Sequence, residues 1–469
     1  MRQVVSAKPT AYGATSFLVL LVLVALAVAA RLAPTIEQAY FFGAAASIIY
    51  IGLNYSIGYL WSLRLIPPLA FFYVFVPDAF NYPESYISRH FPFEYLVGAA
   101  RQINLGYVEL LIGVLTFDLF RTPLYRGIGE TAAKQQVAAV SAKISAFWPA
   151  LIFAFAYLPV MLPFAFSSLL SGRLEASDNL TFLFSIATGL MLFNVGVLAF
   201  SLRHERSTVR KVVSFVLLLL TIAIVVLSGT RFFLLFSASC LFAVFWDFSP
   251  EAERAQFRRA LVLVVPAIAG LALLANYMVD VRGAGAFSDT NELGGAILPK
   301  GEDILGYFAL LILHFEQNDF MYGMSHLSLL WFWIPRSIWP SKPGYLEHTV
   351  VHSFDFSSTF SEGHSGAFGL FGAAYADFGA VGVMVLAPIY GLGLAHLDRQ
   401  FRKWMITRNY TRLIAAFLPG VTFFAMRQLS TAVFFFLATI ALALVLKFLN
   451  DMFAGSRSDT ERTVAPLSR

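Results

Sequence analysis

Two arginines sit between apolar runs with no acid beside them. Arg231, in "VVLSGTRFFLLF", is the only charged residue between Lys211 and Asp247, and Arg427 lies in "FFAMRQLS" between two further apolar stretches. A guanidinium at the centre of a bilayer helix costs about 2.5–3.5 kcal/mol, so such a residue asks for an anionic partner. Its planar fork is always charged and grips a phosphate through two hydrogen bonds at once. An arginine opening a helix adds the unpaired N–H groups of the first turn, which seat anions. The pattern predicts a clamp on a phosphate-bearing ligand. Its further cations are Arg282 in "VDVRGAG" and Arg336 and Lys342 in "IPRSIWPSKP". The plainer alternative is snorkelling to lipid phosphates.

A second group could move protons. His364 in "SEGHSGAFG" titrates near neutrality, and Glu362 could orient it or take its place; Asp355 and Glu316 are further acids of the same region. His348 and His352 have i, i+4 spacing, but "EHTVVH" lacks the internal acid of a zinc helix and no third ligand stands out. No metal and no cofactor is expected. Trp331, Phe332, Trp333 and Trp339 read as an interfacial aromatic belt, with sugar stacking as the other use of such rings.

The elements that position these residues follow from composition. The 469 residues are 58% hydrophobic and only 13% charged, more apolar surface than a water-soluble core can use. The expected fold is an all-α polytopic transmembrane bundle, a single membrane domain over 1–469. A net charge of +5 fits anionic headgroups, and no basic cluster is large enough to track nucleic acid. One cysteine, Cys240, excludes a disulfide framework within the chain. Arg2 and Lys8 before "FLVLLVLVALAVAA" imitate a secretory leader but read as a retained first span.

Twelve spans are predicted, over roughly 13–32, 38–61, 65–79, 104–120, 145–169, 180–202, 212–228, 231–246, 260–279, 366–395, 412–426 and 429–449. The apolar run 212–246 has 35 positions, about 52 Å of helix, so it must turn as a hairpin at Ser228-Gly229-Thr230. Most lysines and arginines fall inside when both termini are cytoplasmic, notably "RHERSTVRK" and "DRQFRKWMITRNYTR". This topology, N-in and C-in, puts Arg231 and Arg427 at outer turns. It also makes residues 280–365 one large outer loop between spans nine and ten, long enough to be functional. Within it "LGYFALLILHF" and "LSLLWFWIPRSIW" read as helices lying in the interface plane. There is no phosphate-binding glycine-lysine loop, and Glu37 is the only acid of the first outer loop.

In order along the chain, "SGTR", an arginine after the ninth span, "FWIPRSIWPSKP", "GHSGAFGLFGAAYADFGAVGV" and "AMRQ" resemble the Wzy-type oligosaccharide repeat-unit polymerases. The similarity is greatest to the group containing the enterobacterial common antigen polymerase, and it covers roughly 225–430. It implies a metal-independent inverting glycosyltransferase of the bacterial inner membrane with its site facing the periplasm. Such enzymes move a growing glycan from undecaprenyl diphosphate to the next lipid-linked unit, in lipopolysaccharide or exopolysaccharide synthesis. The implied partners are undecaprenyl-diphosphate-linked oligosaccharides, membrane lipids and a chain-length-regulating co-polymerase. By motif, Arg231 and Arg282 would bind the diphosphate, Arg427 would be the late arginine, and His364 would stand where the related O-antigen ligases have their proposed base. An O-antigen ligase and a flippase for lipid-linked glycans are the alternatives.

Overall fold

The computed structural model describes residues 9–56, 62–82, 88–121, 146–171, 178–227, 231–246, 303–331, 334, 338–343, 346, 349–350, 368–406 and 410–462. Among them the regular structure is all helical, with no strand. The helices are α1 (Pro9–Leu32), α2 (Ile36–Ser56), a composite α3, α4 (Phe93–Arg121), α5 (Phe147–Ser171), α6 (Asp178–His204), α7 (Thr208–Leu227) and α8 (Arg231–Phe245). They are followed by α9 (Ile304–Gln317), α10 (Met324–Leu327), α11 (Gly369–Ile406), α12 (Tyr410–Arg427) and α13 (Leu429–Arg462). Nine described helices are long and apolar enough to cross a membrane, which makes this a multi-pass membrane protein.

Of the twelve expected spans, eleven coincide with helices. The remaining one, 260–279, lies outside the described residues. α3 is assembled from Leu63–Leu65, Ile66–Ala70, Phe71–Phe75 and Val76–Asn81, the third piece being a wide π turn. Its irregularity follows from Pro67, Pro68 and Pro77, which supply no backbone N–H to the helical ladder.

The chain divides into two compact units: Met1–Gly129, Ala296–Arg402 and Thr422–Val433 form the first, and Glu130–Gly295, Lys403–Val421 and Phe434–Arg469 the second. In the first, α1 packs on α2 and α4, and α9 packs on α4. α4 also meets α11 at backbone contact. A Cβ at Gly113 would lie 2.1 Å from the Pro388 carbonyl oxygen, and one at Gly391 would lie 2.1 Å from that of Leu110. Small residues permit such approaches between membrane helices. In the second unit, α6 packs on α5, α7 and α8. Phe417 there stacks on Phe193 at 5.0 Å and on Phe236 at 5.7 Å.

The expected single span 366–395 is corrected by the structure. α11 breaks at Phe378–Gly379, where Gly379 has φ +64° and ψ −151°. Ala374 and Gly382 are eight positions apart, about 12 Å along a straight helix, yet a Cβ on Gly382 would lie 2.1 Å from the Ala374 carbonyl oxygen. The chain therefore doubles back, and Phe371 and Val383 meet at the same glycine, Gly106. Residues 369–377 form an arm about 13 Å long, too short to cross the hydrocarbon, whereas 380–406 reach about 40 Å.

The loop helices also differ from expectation. "LGYFALLILHF" does form α9, but ten of its fourteen residues are buried, including Leu305, Phe308 and Leu311. A short apolar run buried on every side is a core helix and not one lying at an interface. "LSLLWFWIPRSIW" does not make one helix: α10 passes into a single 3-10 turn, Ser328–Leu330, and the described residues Trp331, Ile334, Ile338 and Trp339 are not helical.

Candidate functional site

The site is built where three pieces of the first unit converge. The first is the turn between α12 and α13. α12 ends on Arg427, a single residue intervenes, and α13 begins at Leu429. Gln428 makes so tight a turn possible. Its N–H donates to the Phe424 carbonyl at 2.7 Å, and its side-chain oxygen accepts from the Thr431 hydroxyl at 2.8 Å. Arg427 thus stands between two apolar helices, as the sequence indicated, and at the C-terminal end of α12 its charge suits the helix dipole.

The second piece is the start of α11. Gly369 has φ +69°, and a Cβ there would lie 2.9 Å from the Met426 carbonyl oxygen. α11 therefore begins against the last turn of α12. His364 and Glu362 themselves, with Arg282, Arg336, His348 and His352, lie outside the described residues.

The third piece is the segment 320–346. Ser325 and Ser328 line a small cleft together with Gly369, Leu429 and Ser430, so this segment faces the other two pieces. Lys342 is buried, and its ammonium donates to the Ile334 carbonyl at 2.7 Å. Trp331 and Trp339 meet at 6.4 Å with rings tilted by 56°, a pair of large apolar faces on that same loop. Glu316, one of the acids considered as a base, instead accepts from the Tyr95 hydroxyl at 2.7 Å.

Arg231 belongs to the second unit and is described by its own helix. It is the first residue of α8, as the hairpin reading required. The opposite end of α8 is capped by cations: Arg203 donates to the Val244 and Trp246 carbonyls, and Arg412 lies 3.5 Å from both. Those arginines come from the two basic clusters of the sequence.

Two polar clusters were missed in the sequence. One links Ser325, His326, Asp377 and Tyr390. Asp377 is fully buried and accepts from the Ser325 N–H at 2.9 Å and from His326 Nδ1 at 2.5 Å. The other ring nitrogen of His326 meets the Tyr390 hydroxyl. The second cluster pairs Arg64 with Asp118 of α4 and, at 2.9 Å, with Asp398 of α11. The signal for both was an acid inside an otherwise apolar helix, Asp377 in "AAYADFGAVG" and Asp118 in "VLTFDLF". Among the described residues no group of three or more histidine, cysteine or acidic side chains could hold a metal. Compared with family models, curated proteins and solved structures, the chain gives no match.

Proposed function

We propose that this protein is a lipid-linked oligosaccharide repeat-unit polymerase of the bacterial inner membrane, with N-in, C-in topology and its site facing the periplasm. It would move glycan from undecaprenyl diphosphate to a hydroxyl of the next lipid-linked unit. The observation that carries this reading is the placement of the two arginines. Arg231 opens α8 at the end opposite its Arg203–Arg412 cap, and Arg427 closes α12 at the end opposite Arg412. Each therefore lies away from the basic clusters that mark the cytoplasmic side.

The chemistry fits that placement. Attack at an anomeric carbon with a diphosphate departing needs no general acid, because the leaving group departs as an anion. It needs cations where that charge grows, the role the sequence puts forward for Arg231, Arg427, Arg282, Arg336 and Lys342. The Trp331–Trp339 pair offers a surface for sugar rings. A base must take the acceptor's proton, and the sequence puts forward His364 or Glu362. No metal and no nucleotide is required.

The test is the glycan ladder in cells. Arg231→Ala and Arg427→Ala should abolish long chains while the protein remains inserted at normal abundance. Arg231→Lys should impair chain growth, because an ammonium cannot make the planar fork. Wild-type ladders in both alanine variants would contradict the clamp.

A flippase is the second reading, and one observation favours it. Tyr40, Ser47, Tyr50 and Asn54 line a buried face of α2, and the Arg64 cluster lies buried in the same unit. Buried polar lines in membrane helices mark transport paths in other proteins. A flippase would release no free undecaprenyl diphosphate, which separates it from the polymerase and from a ligase. A ligase differs only in its acceptor.

A further inference from the structure

We infer that His326, held by Asp377, is the proton acceptor of this reaction and draws the acceptor hydroxyl's proton through Tyr390; this rests on the glycosyl-transfer reading above. The geometry is a built one. The Met321 and Tyr322 N–H groups donate to the Ala376 and Asp377 carbonyls at 2.9 and 3.1 Å, and the Ser325 hydroxyl donates to the Ala373 carbonyl at 2.9 Å. Together these bolt the 321–326 segment onto the doubled-back arm of α11. The chain turns into α10 through two residues with positive φ, Tyr322 at 48° and Gly323 at 92°. For tyrosine this is sparsely populated backbone, which persists only where its surroundings enforce it.

The proton positions follow from donor and acceptor roles. An ionised carboxylate can only accept, so His326 carries its proton on Nδ1, toward Asp377. Nε2 is then bare and accepts the Tyr390 O–H. Among the described residues, Asp377 and Tyr390 are the titratable groups in contact with His326, both from α11. Asp377 is fully buried, whereas the His326 side chain is 28% exposed and Tyr390 is partly exposed. Ser325, the neighbour of His326, lines the cleft beside Gly369 and Leu429. His326 thus follows in the chain a residue of the cleft that the start of α11 and the first residues of α13 also line.

The step balances. A lone pair of the acceptor oxygen forms the bond to the anomeric carbon, and the pair of the breaking bond leaves with the diphosphate. The acceptor's proton passes to the Tyr390 oxygen as the Tyr390 proton passes to His326 Nε2. The resulting imidazolium faces the Asp377 carboxylate and later loses its proton to water. This assigns the base to the Asp377–His326 dyad and leaves the His364 segment to bind substrate.

The experiment is the pH–rate profile of polymer formation by purified, reconstituted full-length protein, using a synthetic undecaprenyl-diphosphate-linked repeat unit. Wild type should lose rate toward acid, since only a neutral imidazole can accept the proton. His326→Gln should be slower by about 10²–10⁴-fold and lack that limb. Tyr390→Phe keeps the ring but breaks the relay, so it should also be slowed while melting like wild type; it serves as well if His326→Gln fails to fold. An unchanged acidic limb in His326→Gln, a wild-type rate in Tyr390→Phe, or loss of the limb in His364→Gln alone would overturn the assignment and leave the polymerase reading standing. A wild type that makes no polymer overturns both.

Discussion

The first unit holds two buried clusters of charge, and they are built differently. Around Arg64 every member is enclosed: Arg64 is 1% exposed, Asp398 0% and Asp118 8%. Arg402, 22% exposed, borders this core at 3.6 Å from Asp398. The Leu63 N–H adds a bond to Asp398 at 2.8 Å, so the cluster pins α3, α4 and α11 together. Around His326 the anchor, Asp377, is equally enclosed, but the histidine is not, and both its ring nitrogens meet groups able to exchange protons. A closed cluster of paired charges holds helices. A cluster with a buried anchor and an accessible titratable member can also do chemistry.

That contrast is open to test by substitution. The largest effect is expected in the closed cluster. Asp398→Ala leaves Arg64 and Arg402 short of an acid and should destabilise the fold by about 3–5 kcal/mol, seen as a large fall in melting temperature of the detergent-solubilised protein. His326→Gln removes hydrogen bonds at a partly exposed side chain and should cost only about 1 kcal/mol. Equal melting losses in the two variants would erase the distinction. A smaller effect is expected at the hinge. Gly379→Ala forces a side chain into a glycine-only backbone region, at about 1–3 kcal/mol, and its Cβ would lie 2.8 Å from the Phe320 ring. It should lower both melting temperature and polymer yield, since it displaces Asp377 two positions away. Unchanged values would mean that the doubled-back arm does not set the site.

The helices were legible because apolar length is a strong signal. The break between α7 and α8 could be deduced from 35 apolar positions that no single span can use, and the Arg427 turn was legible for the same reason. The break at Phe378–Gly379 was not, because an apolar run reads alike whether straight or folded back; only the backbone angles of those two residues decide it. α9 was misplaced because a short apolar segment does not reveal whether lipid or protein covers its second face. Arg64 reads in sequence as a loop cation beside a weak span, and nothing local shows that Asp398, 334 residues later, will bury it. His326 was passed over for the same reason: its partners, Asp377 and Tyr390, are 51 and 64 positions away.

The most direct test of the polymerase account is the stoichiometry of leaving-group release. Purified protein in liposomes, given a defined undecaprenyl-diphosphate-linked repeat unit with chelator and no nucleotide, should form polymer and free one undecaprenyl diphosphate per glycosidic bond. Polymer formation that requires a metal or nucleotide, or lipid-linked units that cross the bilayer with no diphosphate freed, would contradict it.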